Sequence, residues 1–471
     1  MSVLAATVLL AGASGLRAET LAIVGGTIID GNGGKPIEHG VIVVKDRRIL
    51  AVGGAQTPVP QEARRIDAAG KFVIPGLMDA NVHLLLDYWP KTLSRYEGRY
   101  DELVVEAAQV ALKNGLTTVF DSWGPRVDLA TARDDIRAGR RIGARIYFAG
   151  NILGLNGPYS KDFAPQLAEV MPESFVERIN SRWQENVGGE LMLMPPEQVR
   201  KEVRTYLGKG VDFIKYAVNG HNFNEMPLIA FSARVQKIIV EEAHRAGVIA
   251  ETHTTSDEGI LMALDAGVDL MQHCDLTAST KPIAPEVVKR VAERRIPCAF
   301  LAHPESALDW FRGRPGDLRG QLLLNGDINE RALIQAGALI VMSTDAGLFD
   351  ADTRSSKILW TDVQPPEGNL TLMGEAHFNW LLAVEQKGMK PMDALLAATR
   401  NIARAYKVDK DLGTLEAHKL ADLLILDRNP LESASNYRSI SVVMQDGRII
   451  DRQALPTQRL LTADSVTPPR D

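Results

Sequence analysis

Apolar residues along this chain fall into short runs whose spacing divides it into three zones. From residue 20 to 72 the runs read as short strands broken by turns: "LAIVGGTIID", the glycine-rich "DGNGG", then "GVIVVKDRRILAVGG". Residues 419 to 451 return to that pattern with "KLADLLILD" and "SISVVMQDGRIID". Between the two, apolar β-branched runs alternate with segments of helical period such as "SARVQKIIVEEAHRAG" and "APEVVKRVAERR".

The middle runs are "FVIPGLMDA", "TTVFD", "RIYFAG", "DFIKYA", "VIAETHT", "LMQHC", "PCAFLA" and "LIVMSTD", eight in all. A glycine stands ahead of most of them (Gly115, Gly143, Gly210, Gly247, Gly267, Gly337) and reads as the C-terminal stop of the preceding helix. Eight strand–helix units with continuously apolar strands predict an α/β fold, a (β/α)8 TIM barrel over residues 73–408. The flanking zones, 20–72 and 409–455, are expected to join as a small β-sandwich domain assembled from both chain ends, with 456–471 as a C-terminal tail. An open doubly wound sheet is the other arrangement, but no glycine-rich dinucleotide fingerprint follows the first strand. Residues 151–193 form a long insertion carrying Tyr159, Phe163, Phe175 and Trp183, suited to walling a pocket at the barrel mouth.

Barrel chemistry sits at the C-terminal ends of strands. The polar residues there are Asn81, His83, Asp121, Lys215, His253, His273 and Asp345. Asn81 and His83, two apart, point to one side of a strand. One strand-end histidine alone reads as a core residue. Three together with an aspartate read as metal ligands. Lys215 interrupts an apolar strand. A salt-bridged or snorkelling lysine is one reading. The other is a neutral buried amine that takes up CO2 as a carbamate and bridges two cations.

With these motifs in place, "VIPGLMDANVHL", "DFIKYA", "ETHTTSDEGILMALDAGVDLMQHC" and "VMSTDAG" together resemble the amidohydrolase superfamily. In that family Asp-x-His-x-His ends strand 1, a carboxylated lysine ends strand 4, histidines end strands 5 and 6, and an aspartate ends strand 8. The resemblance implies His83, Lys215, His253, His273 and Asp345 as ligands of one or two divalent metal ions, zinc foremost, with a CO2-derived carbamate on Lys215. It implies hydrolysis of a carbonyl C–N bond by metal-activated hydroxide, with Asp345 as acid and base. At Asn81 the sequence departs from the pattern and is similar to an Asn-x-His subgroup that includes phenylurea and thiocarbamate hydrolases. A neutral amide oxygen is a weaker ligand than imidazole, so Asn81 either holds a labile outer metal or donates to a metal-bound water.

The subgroup implies a urea, carbamate, thiocarbamate or anilide substrate. Tyr159 and His221, on loops after strands 3 and 4, are candidate oxyanion donors, beside the reading that each is a structural loop residue. A prolidase-like dipeptidase or N-acyl-amino-acid hydrolase is the alternative. Tyr159 stands where such dipeptidases often carry a histidine, and no strand-end cation is evident to clamp a free carboxylate. Deamination fits less well: deaminases with this barrel normally lack a strand-4 lysine. A noncatalytic scaffold is expected to lose several ligands, not one.

Bulk properties narrow the partners. The chain has 471 residues, 45% hydrophobic and 24% charged, with a net charge of −6 spread without long runs, which argues against nucleic acid. A small-molecule substrate and a homo-oligomer are expected. Cys274 and Cys298 cannot form a disulfide framework and read as buried apolar residues. The N-terminal apolar stretch is shorter than the roughly 20 residues of a membrane span. It resembles a signal-peptide core ending near Ala18, implying a periplasmic or secreted location, with a cytoplasmic one as the alternative.

Overall fold

The computed structural model describes residues 19–220, 228–276, 279–351, 353 and 370–463. The expected signal segment therefore lies outside the described residues. In chain order the strands are β1 (Thr20–Ile28), β2 (Ile37–Lys45), β3 (Arg48–Gly53), β4 (Arg64–Asp67) and β5 (Phe72–Pro75); then β6 (Leu77–Val82), β7 (Leu116–Asp121), β8 (Arg145–Phe148), β9 (Ile152–Leu153), β10 (Ile214–Ala217), β11 (Ala250–His253), β12 (Leu270–Gln272), β13 (Cys298–Phe300) and β14 (Ile340–Met342); and last β15 (Leu423–Leu426), β16 (Ile440–Gln445) and β17 (Arg448–Ile449).

The chain ends combine in one eight-stranded mixed sheet of order β17-β16-β15-β5-β1-β2-β3, with β4 beside β1. β5 is the join, parallel to β1 and antiparallel to β15. Leu21, Ile23, Ile42, Val44 and Val73 from the first end bury against Leu423, Ile425 and Met444 from the other, a core separate from that of the central zone.

The central strands are all parallel, β6-β7-β8 in one sheet and β9 through β14 in another. Each expected run contains a strand, with two departures. "FVIPGLMDA" is two strands, β5 and β6, because the chain changes partner at Gly76. The Gly76 amide donates to Asp422 in the terminal sheet (3.0 Å), whereas the Leu77 amide donates to Gly115 ahead of β7 (3.1 Å). "RIYFAG" runs through β8 and breaks at Gly150, whose φ is +76° and where a Cβ would stand 2.1 Å from the Tyr206 hydroxyl; the chain resumes as β9. At the far edge, the amides of Asp345 and Thr344 donate to the Asn81 carbonyl (2.9 and 3.3 Å), and His83 donates to Ala346 (2.9 Å). β14 and β6 thus meet.

Helices cover the parallel strands. Five of the six stop glycines have positive φ, as a helix C-terminal turn needs, but Gly143 does not. The helix Arg126–Arg137 is followed instead by the left-handed Gly139, and Gly143 is the point where Ile136 and Ala108 approach too closely for a side chain. Residues 151–193 hold a helix (Glu173–Gln184) flanked by shorter turns of helix. Cys274 and Cys298 are free and buried. Among the described residues no helix is long and apolar enough to cross a membrane.

Two further histidines are deeply buried. His377, in the helix Ala376–Gln386, has its Nε2 3.0 Å from the Asn114 carbonyl, and burial pulls its pKa down to about 3; burial pulls His303 to about 3 as well. Both stay neutral in the folded chain while the unfolded chain takes up protons below about 6.5, so each removes stability as pH falls from there. His377→Phe is expected to flatten the acid loss of stability by about 1.4 kcal/mol per pH unit below pH ~6. Denaturant melts of parent and variant at several pH values read this difference, and parallel curves would refute it.

Candidate functional site

The strand-end residues converge at one end of the parallel strands. Asn81 is the penultimate residue of β6, and His83 follows the strand on the same side. Lys215 lies in β10, in register with Glu251 of β11; Ala217 is in register with His253. His273 follows β12 and Asp345 follows β14, with φ of +60° and +51°. Left-handed backbone at a non-glycine residue costs energy and is held by its surroundings. For Asp345 the holder is Asn81, whose carbonyl accepts the Asp345 amide and whose side-chain amide donates to its Oδ1. The His83 and His273 Nε2 atoms stand 3.7 and 3.8 Å from the Asp345 carboxylate, and the rings of His253 and His273 meet edge-on at 4.5 Å.

Burial decides the electrostatics. Lys215 is 1% exposed, and its amine makes no hydrogen bond or ion pair among the described residues. Burial pulls its pKa down, against the attraction of Glu251, Asp345 and Asp121. Burial pushes the Asp345 carboxyl up to about 7; the Lys215 charge resists, while Asp275 and Glu251 add to the rise. Asp121 is pushed to about 8 by burial although it accepts from the amides of Leu84 (2.7 Å) and Trp123 (3.1 Å). Asp79 is pushed to about 7 by burial despite the Thr344 hydroxyl at 2.6 Å. A cation among these groups would favour their ionised forms.

Among the described residues no three His, Cys, Asp or Glu side chains are already drawn into a metal cage. The donors nonetheless suit a divalent ion. Two ligands about 2.1 Å from one ion at tetrahedral angles stand roughly 3.4 Å apart, near the observed imidazole–carboxylate separations. Among the described residues the buried Asn81 Oδ1 accepts no hydrogen bond, which leaves a hard oxygen donor beside them.

Four neighbours were not singled out by the sequence reading. Asp79 and Glu251 each sit two residues before a candidate ligand, a period-2 signal that was there to be used. Glu251 accepts from Ser122 (2.8 Å), Gln272 (3.2 Å) and the Tyr406 hydroxyl, under the site. Tyr406 comes from a distant helix and carries no local signal. Trp123 meets the edge of His83 at 5.9 Å and stacks on Phe163 at 4.1 Å, with Trp183 at 6.0 Å and Tyr88 at 6.3 Å. This is an aromatic wall built largely by the 151–193 insertion. Tyr159 is 1% exposed, and its hydroxyl donates to the Tyr88 carbonyl (2.8 Å), so it braces that wall. His221 lies outside the described residues.

A family model described as "Amidohydrolase family" matches residues 72–450. A molinate hydrolase structure superposes with a TM-score of 0.90 at 38% identity, covering 96% of this chain and 98% of that one. Phenylurea hydrolase B superposes with a TM-score of 0.88 at 36% identity, covering 95% and 100%. Ochratoxinase of Aspergillus niger is 26% identical over 450 residues, 92% of this chain and 87% of its own.

The placement of Tyr159 makes an opposing forecast to a role as oxyanion donor. Tyr159→Phe is expected to cost about 1 kcal/mol of stability and to leave turnover within about twofold. A loss on the order of a hundredfold in kcat, with the fold intact, would instead mark the hydroxyl as a transition-state donor.

Proposed function

The chain belongs to the amidohydrolase family, and on that footing we propose that it hydrolyses a carbonyl carbon–nitrogen bond in a small thiocarbamate, carbamate, urea or anilide. The observation that carries this reading is Asn81 beside an otherwise complete ligand set, in a chain similar over nearly its whole length to molinate hydrolase and phenylurea hydrolase B. His83, His253, His273, Asp345 and carboxylated Lys215 would hold one or two divalent ions, with zinc favoured by the nitrogen-rich donors. Such an ion lowers the pKa of water toward 7 and polarises a substrate carbonyl.

The chain's own residues do the rest. The buried Lys215 amine, favoured in its neutral form, forms an N–C bond to CO2 and releases a proton, giving a two-oxygen anion. Asp345 accepts a proton from the attacking water and returns it to the departing nitrogen. Asn81 steadies that carboxylate through its N–H and offers its oxygen as a weak outer ligand. The wall of Trp123, Phe163 and Trp183 shields the reaction from water and suits an apolar or aryl substituent.

The same reading covers the architecture. The hydrogen bonds between β14 and β6, with β8 continuing as β9, support a closed (β/α)8 barrel over 73–408. The terminal sheet, built from strands of both chain ends, supports the expected sandwich of 20–72 and 409–455. Export through residues 1–18 and assembly into a homo-oligomer belong to the proposal as well.

Lys215→Ala and Asp345→Asn are each expected to abolish hydrolysis of a thiocarbamate and a phenylurea while circular dichroism and melting stay near the parent. Near-parental rates in either variant would sink the scheme. A panel of X-Pro dipeptides run alongside is expected to be cleaved poorly, and a preference for dipeptides would move the assignment to the prolidase type. Asn81→His is expected to raise the metal content per purified chain. Unchanged content would show that Asn81 does not weaken a metal position.

A further inference from the structure

A cavity lies at the opposite end of the parallel strands from Asp345. It opens where the helix Arg126–Arg137, the turn after it, the start of β8 and the β16–β17 hairpin meet, and its volume is about 470 Å³, within the range that holds a small organic molecule. Its charge is unusual for a chain whose net charge is −6. Six arginines line it (Arg47, Arg133, Arg137, Arg141, Arg145 and Arg448), against two aspartates, Asp446 and Asp451.

The aspartates are already committed. Asp446 binds Arg47 at 2.9 Å and Arg145 at 2.6 Å, and Asp451 accepts from the amides of Gln453 (3.1 Å) and Ala454 (3.4 Å). Arg145 is further held by Asp422 at 2.5 Å, and Arg133 by Asp134 and Asp212 at 2.8 and 3.0 Å. Three guanidinium groups remain. Arg137 has only a 3.8 Å approach to Asp212. The guanidinium groups of Arg141 and Arg448 make no hydrogen bond or ion pair among the described residues. Guanidinium forks of this kind match the oxygens of phosphate and carboxylate two at a time. Beside them, Ile142 and Ile449 line the same cavity although 51% and 41% exposed.

Guanidinium groups without a close carboxylate partner, beside exposed isoleucines, match a ligand that is anionic at one end and apolar at the other. We propose that this cavity binds a small organic anion, a phosphate monoester or dicarboxylate carrying an aryl or alkyl group. The head engages Arg137, Arg141 and Arg448, and the apolar group covers Ile142 and Ile449. Because Arg145 pairs with Asp422 and Asp446, the cavity straddles the contact between the parallel strands and the terminal sheet, so an occupant would fasten the two together.

Calorimetric titration of the full chain with phenyl phosphate and with phenylsuccinate tests the two head groups, with phenol and inorganic phosphate as single-feature controls. The expected result is one saturable site per chain for at least one amphipathic anion, tighter than for either control and weakened by added salt. The double substitution Arg141→Gln with Arg448→Gln is expected to weaken binding by about tenfold or more, whereas Arg290→Ala, on another helix, leaves it unchanged. Absence of saturable binding by either anion overturns the proposal. So does equal binding by the double variant, which would place the anion elsewhere, including at the candidate metal ligands. Loss of an oligomer by sedimentation in the double variant, with no ligand binding by the parent, would make the surface a contact between copies and overturn it too. The melting temperature of the double variant, read beside the parent's, separates lost binding from lost folding.

Discussion

Asn81 and Asp345 touch twice, once through backbone and once through side chains, and much of the structure leans on that pair. The Asp345 amide bound to the Asn81 carbonyl joins the last parallel strand to the first. The Asn81 amide bound to the Asp345 carboxylate fixes the group around which His83 and His273 are arranged. The contact between β14 and β6 and the placement of the Asp345 carboxylate are therefore made by the same two residues. A left-handed aspartate costs on the order of 1–3 kcal/mol, and the seam over-determines it. Thr344 adds a further tie by donating its hydroxyl to Asp79 one pleat back on β6.

Beneath that seam the interior is polar where an ordinary core would be apolar. Glu251 is fully buried and is satisfied by Ser122, Gln272 and Tyr406, while Gln272 also reaches the Ala80 carbonyl at 3.0 Å. Buried polar groups are tolerable when every member is partnered. Here the partners come from four strands and a distant helix, so the network fixes the strands relative to one another. Glu251 sits level with Lys215, its register partner, and two residues before His253 on the same strand. The aromatic wall plays the complementary part above, by packing rather than hydrogen bonds.

What the sequence disclosed follows from the range of each interaction. The parallel strands were visible because burial on both faces makes each run continuously apolar. The split of "FVIPGLMDA" was not, since the switch of partner at Gly76 depends on Asp422 and Gly115, which periodicity does not locate. Asn81 and His83 stood out through their period of two, and Lys215 as a cation in an apolar run. Tyr159 allowed both readings, oxyanion donor and structural loop residue, because its acceptor, the Tyr88 carbonyl, is 71 residues away. Tyr406 lies 155 residues from Glu251, and Arg145 lies 301 from Asp446. No local pattern encodes such meetings. Trp123 lies two residues past a strand end, but its partners Phe163 and Trp183 come from the separate 151–193 insertion.

The terminal sheet has a consequence for how the chain is made. Lys71, next to β5, pairs with Asp427, next to β15, across 356 residues. At roughly 5–20 residues per second of synthesis, β5 waits some tens of seconds on the ribosome before its neighbour exists. During that interval its edge is a row of unpaired amides and carbonyls, open to pairing with another nascent chain. The first strands therefore serve as a template that only the finished polypeptide can complete. A message truncated before β15 would yield a product with that edge exposed, a ready substrate for chaperones and proteases. The join between the two ends thus forms only once β15 has been made.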